Sequence, residues 1–324
     1  MSASLAGLRL QQPATIAEAV AAFAAHGDAR YLAGGTDLLV NMRRGIAQPP
    51  HLIDLSRVAA LKGAREDGEE FVIGAGVTVA EIAADTTVAA RYPALAQAAA
   101  AIAAPSHRAV ATLGGNLCLD TRCVYYNQSE WWRKSNGWCL KHRGDTCHVA
   151  PRGERCHAAF SGDMAPALLA LGASVDIEGP DGARNMPLGD LYVEDGRAHL
   201  TLAPGEILVA ARLPARAQKS GYEKARTRGA IDYPLAGVAA VLALREGVVE
   251  TLRIGLTGLN SRPFLLEGTE GFAGRAVDAA LLGEIDKLVQ KQVQPMRTTL
   301  AASNYRRLAA AALAQRLVRR LAEG

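Results

Sequence analysis

The chain has 324 residues, of which 49% are hydrophobic and 21% are charged, and its formal net charge is +4. The length exceeds one ordinary core, so at least two domains are expected, with the composition of a soluble globular protein. No apolar run reaches the roughly 18 residues that a membrane helix needs. The first ten residues hold one Arg and no long apolar core, which argues against a secretory signal. The mild charge does not favour nucleic-acid binding.

The N-terminal third alternates helices, strands and glycine-rich turns. A helix is predicted over 16–25 by its capping box, a strand over 30–33 by its apolar run, and a helix over 37–44. Gly34-Gly35-Thr36 lies between the last two. We then predict two strands, over 51–55 and 70–74, and a helix that begins after Thr78. An alanine-rich helix follows over 94–104, and a further strand over 109–113. The last of these runs into a second glycine pair, Gly114-Gly115-Asn116.

Ordinary composition returns after a cysteine-rich segment that ends near residue 158. A helix over 164–171 and strands over 174–178, 198–202 and 207–213 are predicted next. A polar stretch over 214–220 is taken as the domain boundary, which gives an N-terminal domain over 1–216 and a C-terminal domain over 217–324. The C-terminal domain should hold strands over 235–244 and 248–257 and helices over 277–293 and 303–322.

The two glycine pairs are candidate phosphate-binding turns. Glycine allows close approach of a ligand to the backbone, and unpaired N–H groups in a turn or at a helix start form an anion site. Thr36 and Thr112 add hydroxyl donors, whereas Asp37 would repel phosphate and suits a helix start or a ligand hydroxyl. Either pair alone could be a simple tight turn. Gly74-Ala75-Gly76 lacks the third glycine of a dinucleotide fingerprint, so a nicotinamide-binding domain is not supported.

All five cysteines and all three tryptophans lie within residues 118–156. Disulfides rank low because the number of cysteines is odd and no secretory signal is visible. The gaps of 15, 7 and 8 residues that follow Cys123 are wide for zinc knuckles, and they match no common ferredoxin spacing. The cysteines modestly favour an iron–sulfur cluster over zinc, and a zinc site remains an alternative. The aromatic residues could shield a cluster or pack the insertion onto its domain: Tyr125, Tyr126, Trp131, Trp132 and Trp138.

Three motifs carry a family resemblance: Ala-Gly-Gly-Thr-Asp-Leu at 33–38, Ala-Thr-Leu-Gly-Gly-Asn at 111–116 and Tyr-Glu-Lys at 222–224. They resemble the FAD-binding (medium) subunit of the xanthine oxidase and carbon monoxide dehydrogenase family of molybdenum hydroxylases, over nearly the whole chain. The resemblance implies an α+β fold. This fold consists of a two-lobed, PCMH-type FAD-binding domain with a cysteine-rich insertion over 118–158 and a C-terminal α/β domain of the CO dehydrogenase flavoprotein type. The resemblance also implies a cytoplasmic protein whose partners are a molybdopterin-binding large subunit and a [2Fe–2S] small subunit.

The resemblance further implies which residues contact FAD. They are Tyr31, Leu32, Ala33, Gly34, Gly35, Thr36, Asp37, Leu38, Ile102, Ala111, Thr112, Leu113, Gly114, Gly115, Asn116, Asp163, Leu208 and Lys224. For four of them a plain structural role stays open: Ile102 and Leu208 as core, Asp163 as a helix N-cap and Lys224 as a surface lysine. No catalytic acid or base is named, because the expected role is electron transfer.

The insertion itself resembles that of the beta subunits of 4-hydroxybenzoyl-CoA reductases, family members with an additional [4Fe–4S] cluster. This implies Cys123, Cys139, Cys147 and Cys156 as cluster ligands, with Cys118 as the spare thiol. It also implies reductive removal of a phenolic hydroxyl from an aromatic acyl-CoA in anaerobic aromatic degradation. The 7 Lys and Arg against 4 Asp and Glu over 120–158 would suit a ferredoxin-like electron donor. A zinc-stabilised binding module and a self-sufficient flavin oxidase are the alternatives.

Overall fold

The computed structural model describes residues 7–324. The strands are β1 (Arg9–Gln11), β2 (Arg30–Leu32), β3 (His51–Asp54), β4 (Ala64–Asp67), β5 (Glu70–Gly74), β6 (Ser174–Gly179), β7 (Gly182–Pro187), β8 (Ile207–Pro214), β9 (Ser220–Ala225), β10 (Ala236–Arg245), β11 (Val248–Thr257) and β12 (Phe264–Leu265). The helices are α1 (Ile16–Ala25), α2 (Leu38–Arg43), α3 (Val79–Ala84), α4 (Thr86–Arg91), α5 (Pro93–Ala101), α6 (Pro105–Arg108), α7 (Leu113–Leu117), α8 (Glu130–Ser135), α9 (Met164–Leu171), α10 (Ala279–Gln292) and α11 (Ser303–Glu323). Within the described range, none of these helices has the length and apolarity to cross a bilayer.

The strands form three separate sheets. A small parallel sheet with the order β1-β3-β2 makes the first lobe, and an antiparallel sheet with the order β4-β5-β8-β6-β7 makes the second. The C-terminal part holds an antiparallel sheet with the order β12-β11-β10-β9, and α10 and α11 pack against it through a core that includes Leu281, Ile285 and Leu317. This arrangement confirms the expected α+β fold with two lobes and a C-terminal domain.

Helix α9 lies between the two antiparallel sheets. All eight of its residues are buried, as expected of a helix that is apolar on every side. It packs on α5 and β8 of the second lobe and on β10 and β11 of the C-terminal sheet. Asp163 directly precedes α9, so the buried position of this helix brings that carboxylate into the interior beside β9.

Several sequence expectations are confirmed, and two strands were wrong. The capping box of Thr78 with Glu81 is present at the start of α3, and α9 has its predicted bounds. The strand expected over 109–113 is a turn followed by α7, and the strand expected over 198–202 is irregular apart from one bridge between Tyr192 and Leu200. Short apolar runs do not separate strand from helix by periodicity alone, and here tertiary contacts decided.

Gly255 of β11 is needed for the contact between α9 and the C-terminal sheet. A Cβ at this position would overlap the carbonyl oxygen of Pro166 and lie 2.9 Å from its carbonyl carbon. We expect Gly255→Ala to lower the free energy of unfolding by about 1–3 kcal/mol, because the helix backbone must move away. The matched control is Gly283→Ala in α10, where no atom lies within 4 Å and alanine should stabilise by about 0.5–1 kcal/mol. Chemical denaturation measures both, and equal effects would contradict this packing role.

Candidate functional site

The first glycine turn links β2 to α2 and leaves its amides free. Gly35 has a φ of +70°, which favours glycine. Within residues 7–324, no backbone or side-chain acceptor is hydrogen-bonded to the N–H groups of Gly34, Gly35, Thr36 or Asp37. Four consecutive free N–H groups at a helix start are the arrangement that binds phosphate oxygens.

The second glycine turn uses its amides inside the protein. Gly114 N–H donates to the Ala75 carbonyl at 2.8 Å, and Gly115 N–H donates to the Thr112 hydroxyl at 3.1 Å, which caps α7. Free N–H groups are therefore present in the first turn, whereas those of Gly114 and Gly115 already have acceptors within the protein, and phosphate binding by either turn stays a prediction. The prediction from the sequence did not distinguish the two turns, because a glycine pair does not reveal where its N–H groups point.

The two turns are in direct contact. A Cβ added to Gly34 would overlap the carbonyl oxygen of Val110 and lie 2.9 Å from the Cα of Ala111. Only glycine permits this approach of one backbone to the other. The contact places residues 33–38 and 110–116 side by side, as a common cradle requires.

The side chains of Tyr31 and Asp37 bind protein groups. Tyr31 donates its hydroxyl to the Gly205 carbonyl at 2.9 Å and stacks on Phe23 with ring centroids 5.2 Å apart. Burial raises the pKa of Tyr31 to about 12. Asp37 forms an ion pair with Arg122 and accepts a hydrogen bond from the Asn41 amide at 3.2 Å. Any contact of these two residues with FAD therefore involves chiefly their backbone.

Asp163 is the centre of a buried polar group. Its Oδ1 accepts from the Tyr222 hydroxyl at 2.6 Å and from Lys224 Nζ at 2.8 Å. Burial raises the pKa of Asp163, and the Lys224 ammonium opposes that rise. The side chain makes no N-cap hydrogen bond, and Lys224 is 3% exposed at its side chain, so neither plain alternative for these residues describes the structure. Asn116 connects this group to the second turn, because its Oδ1 accepts from Met164 N–H at 3.1 Å.

Ile102 and Leu208 lie in the main hydrophobic core, at 8% and 5% exposure. Ile102 follows α5 directly, and its carbonyl accepts a hydrogen bond from Arg108 at 2.7 Å. Leu208 lies on β8 next to the point where the pairing with β6 shifts register. Their burial fits the core alternative, and a contact with FAD stays a prediction for both.

The cysteine insertion begins at a two-way backbone bridge. Arg122 N–H donates to the Ala159 carbonyl at 2.7 Å, and Ala159 N–H donates back at 2.8 Å. Beyond this bridge, four cysteines distant in sequence line a single cavity: Cys123, Cys139, Cys147 and Cys156. Cys118 lies outside the cavity and packs against the main hydrophobic core, where burial raises its pKa to about 12. The four cysteines predicted as ligands thus share one cavity and the predicted spare thiol does not, while metal binding by the four stays a prediction.

The chemistry of this cavity suits a metal cluster. All five cysteines are free thiols. Burial, with a smaller contribution from neighbouring thiols, raises the pKa of Cys123 to about 11 and that of Cys156 to about 12. Four thiolates could therefore persist here only with a compensating cation. In residues 7–324, no group of three or more His, Cys, Asp or Glu side chains is placed to hold a metal ion. Four thiolates are the usual donor set of an iron–sulfur cluster, and the cluster stays a prediction for this cavity.

The surroundings of the thiols are both apolar and cationic. Tyr126 is 8% exposed and packs with Cys123 and Cys156, as the shielding role predicts. Trp131, by contrast, is 75% exposed, so it shields neither a cluster nor the interface of the insertion with its domain. Lys141 lines the cavity and donates to Asp120 at 2.7 Å, and its ammonium lowers the pKa of the Cys156 thiol.

The positive excess of the insertion points inward. Its exposed cations are matched by exposed anions: Lys134, Arg143 and Arg152 against Glu130, Asp145 and Glu154. The remaining cations, which are buried or partly buried, are Arg122, Arg133, Lys141 and Arg155. Sequence reasoning did not single out these four residues. An available signal was the repeated Arg-Cys dipeptide at 122–123 and 155–156.

Comparison with known proteins identifies the family. Residues 6–216 match the family model described as the FAD binding domain in molybdopterin dehydrogenase, and residues 220–321 match the CO dehydrogenase flavoprotein C-terminal domain. The carbon monoxide dehydrogenase medium chain of Afipia carboxidovorans is 30% identical over 312 residues, which cover 95% of this chain and 94% of that protein. The aldehyde oxidoreductase FAD-binding subunit of Escherichia coli K12 is 33% identical over 261 residues, which cover 78% of this chain and 81% of that protein.

A solved structure agrees over the full length. A chain of reconstituted CO dehydrogenase from Oligotropha carboxidovorans superposes with a TM-score of 0.81 at 28% identity, covering 100% of this chain and 99% of that chain. The family model alone spans about two thirds of the sequence, and it includes both glycine turns and Asp163. The chain therefore belongs to the FAD-binding subunits of the molybdopterin dehydrogenase family, the molybdenum hydroxylases.

Proposed function

We propose that this chain is an FAD- and [4Fe–4S]-containing electron-transfer subunit of a cytoplasmic molybdenum enzyme. It relays electrons between a ferredoxin-like carrier and partner subunits that hold [2Fe–2S] clusters and the molybdenum cofactor. The observation that supports the cluster is the convergence of four insertion cysteines on one cavity. For the whole complex we propose reductive dehydroxylation of 4-hydroxybenzoyl-CoA, which the resemblance of the insertion supports.

The first glycine turn would hold the FAD pyrophosphate. The free N–H groups of Gly34 to Asp37 donate to phosphate oxygens, and Arg122 neutralises the Asp37 carboxylate that would otherwise repel them. The second turn packs against Gly34 and fixes the shape of the cradle. When bound, FAD supplies both one-electron and two-electron transfer, and the chain supplies binding and orientation.

The insertion would hold the cluster through the thiolates of Cys123, Cys139, Cys147 and Cys156. A cluster supplies one-electron transfer when bound. Around it, Ala158 N–H donates to Cys156 Sγ at 3.4 Å, and Lys141 adds a nearby positive charge. Both interactions favour the thiolate form. Tyr126 limits the access of water.

The ferredoxin-like donor would dock on the insertion. The exposed charges of the insertion balance, so its long-range attraction of an acidic partner is weaker than its composition suggests. The exposed indole of Trp131 is the apolar contact that this surface offers to such a donor.

The metal content of the anaerobically purified chain tests the cluster directly. We expect about four irons, four sulfides and one FAD per chain, the composition of a cubane cluster in a flavoprotein. Cys147→Ser should remove most of the iron, and the matched control Cys118→Ser should keep it, because Cys118 lies outside the cavity. Iron, acid-labile sulfide, zinc and flavin assays measure these quantities. Zinc in place of iron would reduce the insertion to a structural or docking element.

The contact between the two glycine turns gives a second test. Gly34→Ala should weaken FAD binding roughly 10- to 100-fold, because its methyl group would force the Val110 carbonyl away and open the cradle. Gly27→Ala, in the first lobe and outside both turns, meets no atom within 4 Å and should stay within about threefold of the parent. Flavin fluorescence titration measures both affinities. Iron content should be unchanged, and a parallel loss of iron and flavin in Gly34→Ala would assign this glycine to general folding.

A further inference from the structure

Helix α2 connects the first glycine turn to the cysteine cavity. The helix begins at Leu38, directly after the free N–H groups, and ends at Arg43. Two residues later, Gly45 and Ile46 turn towards the insertion. Ile46 is 5% exposed and packs in one cluster with Cys123 and Cys156. Eight residues, 38–45, thus separate the proposed phosphate site from Ile46, which packs beside two of the proposed cluster ligands.

An arginine of the insertion binds the start of α2. Arg122 forms an ion pair with Asp37, donates to the Asn41 amide oxygen at 3.2 Å, and lies over the ring of Tyr233 with 5.2 Å from guanidinium carbon to ring centroid. The Asn41 side-chain amide also donates to Asp37 at 3.2 Å, so that each of Arg122, Asp37 and Asn41 contacts the other two. The Arg122 side chain is 10% exposed, so this ion pair is largely shielded from solvent.

A second arginine binds the end of α2. Arg133 of α8 donates to the Gly45 carbonyl at 2.8 Å and is 2% exposed. Its guanidinium lies near the rings of Tyr126 and Trp138, at 5.8 and 5.5 Å from their centroids. The insertion therefore holds α2 at both ends.

We propose that Arg122 is a positioning residue that couples the cysteine site to the FAD turn. Its backbone is held on one side by the bridge to Ala159 and continues on the other side into Cys123, so a cluster that holds Cys123 would also restrict the position of Arg122. The guanidinium in turn fixes Asp37, whose own N–H belongs to the phosphate site. A filled cysteine site therefore holds the FAD turn in its binding geometry, and FAD reciprocally favours cluster retention. This inference rests on the proposed function of the cavity.

The chain offers a matched control for Arg122. Arg155 also directly precedes a proposed cluster ligand, Cys156, and also ties the insertion to the rest of the protein. Its partners include Glu194 at 3.1 Å, Ser261 at 3.4 Å and Gln294 at 3.4 Å, all of which lie outside α2. Replacing Arg155 loosens the insertion without breaking the link to the FAD turn.

The test is FAD affinity of the full chain with and without iron, measured by flavin fluorescence. We expect iron removal to weaken FAD binding about tenfold, within the usual range of coupling between sites, in the parent and in Arg155→Gln. In Arg122→Gln the affinity should be weak and independent of iron. Arg122→Lys should restore part of the dependence, because it keeps the charge but loses the forked geometry. Asp37→Asn, changed from the opposite side of the ion pair, should abolish the dependence as Arg122→Gln does.

Two negative results are distinguishable. Suppose the chain holds about four irons, as a cubane cluster requires, and its FAD affinity is the same after the iron is removed. This result would overturn the coupling and leave the proposed function intact. A chain purified anaerobically without iron would overturn the proposed function and the coupling with it. Thermal melting of each variant establishes that it is folded. An equal iron dependence in Arg122→Gln and in the parent would also reject Arg122 as the connecting residue.

Discussion

No side chain can be accommodated at position 34, because the carbonyl oxygen of Val110 occupies the space that a Cβ would need. This backbone-to-backbone contact sets the distance between the two glycine turns and so defines the cradle. The division of labour between the turns follows from it. The first turn presents free N–H groups, while the second satisfies its own through Ala75 and Thr112 and acts as a rigid neighbour. The contact costs conformational freedom, which the packed surroundings compensate.

The cysteine-rich segment adds a cavity lined by four thiols. It leaves and rejoins the domain at the bridge between Arg122 and Ala159, so the parent fold on either side is preserved. Its buried and partly buried cations act locally: Arg122 and Arg133 bind α2, Lys141 lies beside the thiols, and Arg155 binds Glu194. The four thiols share one cavity, and the adjacent cations would offset part of the negative charge that deprotonated cysteines carry.

The buried polar group at Asp163 links the C-terminal domain to the N-terminal domain. Tyr222 and Lys224 lie on β9, whereas Asp163 precedes α9 of the other domain, and their hydrogen bonds cross between the two. Because α9 is buried along its whole length, apolar packing sets the relative position of the domains. The hydrogen bonds of the polar group depend on that position. Family membership accounts for FAD binding by this chain.

Much of this could be predicted from the chain alone, because the relevant signals are local. Capping boxes, an all-apolar helix and long apolar strands specified α3, α9, β10 and β11, and the glycine motifs carried the family resemblance. The clustering of cysteines specified an inserted site. Local pattern could not show which glycine turn keeps its N–H groups free, that residues 109–113 form no strand, or that Trp131 is exposed. Nor could it show that Arg122 reaches Asp37 across 84 intervening residues. These features depend on pairings between distant segments, whose energies exceed local preferences, and only the tertiary structure decides them.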